Sequence, residues 1–183
     1  MDNLLTKEQK NKLLKLARDA ITQYLTTGNV LKCTEDDPDL KAEMGAFVSL
    51  HKDGELRGCI GNMSSSLPLS ETIRDMAIAA ATEDPRFYPL KSDELKNIKI
   101  EISVLSPLKK ISSVDEIVMG KHGVLVKDGL RSGVYLPQVA VETGWNKEEF
   151  LNSLCGSKAG MSHDTWKKGK CEIYIFTAEV FSE

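Results

Sequence analysis

The chain has 183 residues, and 24 Lys and Arg stand against 27 Asp and Glu for a formal charge of −3. Hydrophobic residues make up 41% and charged residues 28%, which fits a folded globular chain and excludes a disordered one. The acidic excess argues against a general DNA or RNA coat, and no stretch approaches the ~18 apolar residues of a membrane span.

Thr6 and Gln9 have capping-box spacing, and apolar residues from Leu13 to Leu25 recur at helical intervals, so a helix is expected over 7–27 with Gly28 ending it. Residues 32–40, with Glu35, Asp36, Asp37 and Asp39, read as a solvated acidic loop. Residues 47–50 and 55–60 read as a hairpin turned by Asp53-Gly54. Alternation along its second strand places Arg57 and Cys59 on one face. A second helix follows Pro68, with Ser70 as the expected N-cap and an alanine-rich stripe that implies close packing on a sheet. Asp84-Pro85 stops it. Ile98, Ile100, Ile102 and Val104 alternate with polar residues, as in an antiparallel sheet with one wet face.

Farther on, Ser113 and Glu116 suggest a short capped helix, and 124–126 with 134–136 a second hairpin. Residues 138–143 look helical, Asn146 can cap a helix through Leu154, and 172–181 read as one long closing strand. Hairpins joined by helices give an α+β fold with antiparallel sheets and packed helices. The lysine-rich amphipathic start carries no apolar block of the signal-peptide type, so the expected location is cytoplasmic. There the four cysteines, Cys33, Cys59, Cys155 and Cys171, stay reduced. No cysteine pair has C-x-x-C spacing, and His163 with Asp164 is too small a set for a metal, so neither metal nor cofactor is assigned.

The unusual stretch is Leu56-Arg57-Gly58-Cys59-Ile60-Gly61. Two glycines beside a cysteine on a strand mark a bulge or a close backbone approach. Gly58 and Gly61 can also free backbone N–H groups for a ligand, and Arg57 can stabilise a Cys59 thiolate or hold an anionic substrate. The structural alternative is a cysteine that acts as a small buried hydrophobe.

These six residues resemble the hallmark of the AMMECR-one family, the AMME-syndrome candidate-region protein with its bacterial and archaeal relatives. Gly45–Leu50, Glu83-Asp84-Pro85-Arg86-Phe87, Glu101–Leu105, His122-Gly123-Val124, Leu136-Pro137-Gln138-Val139, Lys158-Ala159-Gly160 and Trp166 follow in the family's order. The resemblance spans roughly residues 5–181. It implies a single domain over 1–183 with two lobes and a cleft between them, a smaller inserted lobe at about 107–165, and the hallmark strand near the cleft. It also implies a pathway shared with Memo-like and radical SAM proteins, and it names no reaction.

The functional expectation is a thiol-dependent enzyme acting on a small molecule or a modified residue. Cys59 is the nucleophile, aided by Arg57, and His122 at a strand entry is the acid or base. Gln138 or the amides around Gly58 and Gly61 supply an oxyanion hole, and Lys158 binds a carboxylate or phosphate. One alternative is a non-catalytic partner that holds a small molecule or peptide for the Memo-like or radical SAM protein. Another is a nucleotide or nucleic-acid module built on Lys158, Lys167, Lys168 and Lys170 beside Trp166, a reading that the net charge of −3 weakens.

Overall fold

The Gln9 N–H donates to Thr6 Oγ1 at 3.2 Å and the Thr6 N–H to Gln9 Oε1 at 2.8 Å, so the first helix is capped as its sequence requires. It belongs to a computed structural model that describes residues 4–183. Helix α1 (Lys7–Thr27) runs from that cap to Gly28, whose φ of 73° ends it. In chain order follow β1 (Ala46–Lys52), β2 (Glu55–Asn62), α2 (Leu69–Thr82), a 3-10 turn at Ser92–Asn97, and β3 (Ile98–Leu105). Then come β4 (Lys109–Lys110), β5 (Gly123–Asp128), β6 (Arg131–Tyr135), α3 (Pro137–Thr143), α4 (Lys147–Ser153), β7 (Glu172–Phe176) and β8 (Ala178–Ser182). The fold is α+β with two antiparallel sheets, as the pattern of hairpins and helices implies. Among the described residues, no helix is long and apolar enough to cross a membrane.

The described residues up to Leu105, with Glu179–Glu183, form one unit, and Ser106–Ala178 form the second. In the first unit the strand order is β2-β1-β3-β8. Val48 and Leu50 of β1 and Ile100, Ile102 and Val104 of β3 all point to one face, where they pack with Leu13, Ile21, Ile73, Ala77 and Ala80 of the two helices. In the second unit the order is β4-β7-β5-β6, and Val124, Val126 and Ile175 pack with Phe150, Leu151 and Leu154.

Three local expectations change. Ser70 is not an N-cap: α2 begins one residue earlier, and the carbonyls of Ala42 and Leu40 take the N–H groups of Leu69 and Ser70 at 2.9 and 3.1 Å. The free donors of that helix end are thus met by a loop backbone and need no side chain. The acidic loop is tied down at several points, because Gln9 Nε2 donates to Asp37 and Asp39 at 3.0 and 2.9 Å and Lys12 pairs with Glu35 at 2.7 Å. The long closing strand is two strands in different sheets. They break at Thr177, which exchanges hydrogen bonds with Ser106: Ser106 N–H to the Thr177 carbonyl and Thr177 N–H to Ser106 Oγ, both 2.9 Å.

The alanine stripe of α2 lets a helix sit directly on β2. A Cβ built on Gly58 would lie 2.1 Å from the Ala80 carbonyl oxygen, a backbone atom that cannot yield cheaply. Gly58→Ala is therefore expected to cost about 3 kcal/mol. By contrast Gly28→Ala, which meets nothing within 4 Å, should cost about 1 kcal/mol for its left-handed backbone. Urea denaturation of the two variants checks this, and equal losses would contradict the close approach.

Candidate functional site around Cys59

β2 is the edge strand of its sheet, paired with β1 on one side only. Ser49 lies opposite Cys59 in the register. The free side of the strand at Cys59 is closed by side-chain charge. The Cys59 N–H donates to Asp84 Oδ2 at 2.8 Å, and the Cys59 carbonyl accepts from Arg86 Nη2 at 3.4 Å. Asp84 in turn holds Arg86 through Nη2 at 2.7 Å, Nε at 3.0 Å and the backbone N–H at 3.1 Å. Its side chain is 2% exposed. A carboxylate so buried must be paired. The Arg86 hydrogen bond, followed by the backbone donors, holds Asp84 well below the usual carboxylate range against the cost of burial. The local cause is the end of α2: the chain leaves the helix at Thr82, and Asp84-Pro85 turns it across the edge of β2.

The Cys59 side chain is half-buried on the face that carries Ser49, opposite the core face of Val48 and Leu50. Ser49 Oγ donates to Cys59 Sγ at 3.2 Å. The expected pairing of Arg57 with this thiol is replaced by another. Leu50 pairs with Gly58 but His51 pairs with Leu56, so Arg57 is the extra residue of a β-bulge and strict alternation stops there. Its guanidinium goes to Glu94, Nη2 to Oε2 at 3.1 Å and Nε to Oε1 at 3.3 Å, and to the Tyr88 carbonyl at 3.0 Å. Glu94 also takes Lys52 at 2.9 Å and the Lys91 N–H at 3.1 Å. Arg57 first, then Lys52, pull the Glu94 pKa down to about 2.

The guanidinium beside Cys59 is that of Arg86. Its own pKa is raised, chiefly by Asp84 and in smaller part by the Cys59 side chain. The sequence signal for it was the Glu83–Phe87 segment, which reads as a helix stop when taken alone. His51 also lies on the Ser49 face of the sheet. It stands two residues beyond Ser49 on β1, its ring is one-third exposed, and its Nε2 lies 3.9 Å from Glu101 Oε1. Ser49 and Glu101 are themselves register partners.

The two glycines serve close approach. Gly58 faces the Ala80 carbonyl, and a Cβ on Gly61 would lie 2.3 Å from the Phe47 ring. Gly61 lies two residues beyond Cys59 on a regular ladder, so its N–H faces the same open edge. Among the described residues it meets no protein acceptor there.

His122, Gln138 and Lys158 belong to the second unit. The His122 ring accepts the Val118 N–H at Nδ1, 3.1 Å away, and burial followed by the Lys121 charge lowers its pKa. Gln138 is in the first turn of α3, and Lys158 ends a π-helical turn with its ammonium 5.7 Å from the Tyr135 ring centroid. Among the other cysteines, burial pushes Cys33 and Cys155 up, and it pushes Cys171 to about 11.

The sequence model of the AMMECR1 family matches residues 14–181. A protein of Methanopyrus kandleri is 45% identical, with 100% of this chain and 92% of that protein aligned. One from Pyrococcus furiosus is 43% identical, over 93% of this chain and 86% of its own. The crystal structure of an uncharacterized protein from Pyrococcus horikoshii is similar, with a TM-score of 0.89 and 40% identity, over 99% of this chain and 94% of that one.

Asp84 and Glu94 both titrate lower in the folded state than in the unfolded one, so each stabilises the fold above its unfolded pKa and loses that contribution as pH falls. For Glu94 the window runs from 4.5 down to about 2. Asp84→Asn should lower the urea midpoint at neutral pH and flatten its decline between about pH 5 and pH 2. Wild-type and variant curves that stay parallel over this range would contradict the pairing.

Proposed function

The chain belongs to the AMMECR1 family, and from that premise we propose that it is a thiol-dependent enzyme with Cys59 as nucleophile, acting on a small molecule or a modified residue. The observation that carries this reading is the setting of the thiol. It is half-buried, receives the Ser49 hydroxyl at 3.2 Å, and sits on a backbone clamped by Asp84 and Arg86. A strand held on both sides keeps the sulfur in one place, with the Ser49 hydroxyl beside it. The other three cysteines lack this setting, and burial keeps them as thiols.

In the proposed chemistry Cys59 adds to a carbonyl-type carbon: the C–S bond forms as the π pair moves onto the substrate oxygen, and the thiol proton passes to a base. His51, with Glu101 near its Nε2, is the candidate base on the same sheet face. The unpartnered Gly61 N–H is suited to developing negative charge on the substrate. Arg57 acts here as a binding residue for the substrate's charge. The Memo-like and radical SAM proteins implied by the resemblance would supply the substrate or consume the product. A nucleic-acid role draws less support, since Lys167 pairs with Glu148 at 2.5 Å and Lys168 with Asp164 at 2.6 Å.

Limiting iodoacetamide on the folded protein, read by mass spectrometry, tests the proposal. Cys59 should label at least about tenfold faster than Cys155 or Cys171, whose thiols burial keeps protonated. A Cys59 that stays inert until the protein unfolds would overturn it.

A further inference from the structure

Beyond the edge clamp the chain forms a surface hollow of about 560 Å³ lined by Arg57, Pro85, Arg86, Phe87 and Tyr88, within the size range of small-ligand sites. We propose that this hollow binds an anionic group, a phosphate or carboxylate, attached to a flat or aromatic body. Identifying that molecule as the substrate rests on the Cys59 reading above; the binding itself does not.

Three observations converge. The Phe87 ring gathers both guanidinium groups, with Arg86 Cζ 5.4 Å and Arg57 Cζ 6.0 Å from its centroid, a spacing that cation–π attraction supports. The charges are sorted by depth. Lys52, Arg57 and Arg86 share the carboxylates Glu94 and Asp84, so three cations meet two anions. The Asp84 side chain is 2% exposed and the Glu94 and Arg57 side chains 18% and 17%, whereas Arg86 is 56% exposed. Among the described residues Arg86 Nη1 has no protein acceptor. Arg57 is thus neutralised inside with Glu94, and Arg86 presents the outward positive charge. The adjoining hollow is also lined by Lys91 and Asp93, of opposite charge. Lastly, Tyr88 is 91% exposed, but its backbone is pinned because its carbonyl accepts from Arg57 Nη1 at 3.0 Å. An exposed ring on a fixed backbone is a stacking platform. Arg86 Nη2 is also the donor to the Cys59 carbonyl, so an anion held on this guanidinium lies beside the thiol's own strand.

The test is calorimetric titration of the whole chain with phenyl phosphate, benzoate and inorganic phosphate at low salt. Phenyl phosphate or benzoate should bind about tenfold more tightly than inorganic phosphate, the contribution of one stacked ring, and the stronger of the two identifies the anion. Tyr88→Ala should bring the aromatic ligand down to the level of inorganic phosphate, and Tyr88→Phe should restore it. Arg86→Lys, which keeps a cation for Asp84, should weaken every ligand. Absence of binding at millimolar concentration, or an unchanged affinity in Tyr88→Ala, overturns the proposal. Cys59 labelling is read on the same sample. Fast labelling without ligand binding defeats this inference alone, and binding with an inert Cys59 defeats the thiol reading alone.

Discussion

The Asp84 carboxylate takes the place of a neighbouring strand at one residue. An edge strand normally leaves a row of N–H and C=O groups open to solvent or to another chain. Here the N–H of Cys59 meets Asp84 and its carbonyl meets Arg86, while Arg86 neutralises Asp84. Each group satisfies a need of the others: a buried carboxylate needs donors, and an exposed strand edge needs partners. The clamp fixes the backbone that carries the thiol, and it also sets the guanidinium of Arg86 against the ring of Phe87.

The clamp depends on a packing event some distance along the chain. Ala77 and Ala80 give α2 a face flat enough for the bare backbone at Gly58 to come against it. With the helix that close, the two residues after its end are enough to bring Asp84 to the β2 edge. The neighbouring cluster works by the same logic. Glu94 rises from the 3-10 turn before β3 and holds Arg57 and Lys52 together. A buried carboxylate and a half-buried one, Asp84 and Glu94, thus organise the surface on either side of Phe87.

Local elements were legible in the sequence because their causes are local. The Thr6–Gln9 box, the Asp53-Gly54 turn, the alternation from Ile98 to Val104 and the Asn146 cap each carry their own chemistry. What the sequence hid is tertiary. The glycines at 58 and 61 signal a bulge or a close approach but do not say which residue is the extra one; the register makes it Arg57, whose guanidinium then turns to Glu94. The break at Thr177 has no Gly or Pro to mark it and is made by Ser106, which is far away in sequence. Arg86 looked like part of a turn because its second partner, the Cys59 carbonyl, belongs to another element. His51 is adjacent to a turn in the sequence, and its parity with Ser49 puts it on the Cys59 face.

The central claim, that Asp84 substitutes for a strand partner at Cys59, is tested most directly by residue-resolved amide hydrogen exchange. The Cys59 amide should exchange as slowly as the laddered amide of Ile60, and the Gly61 amide on the same open edge should exchange quickly. In Asp84→Ala the protection at Cys59 should be lost while that of Ile60 persists. A wild-type Cys59 amide that exchanges as fast as that of Gly61 would contradict the account.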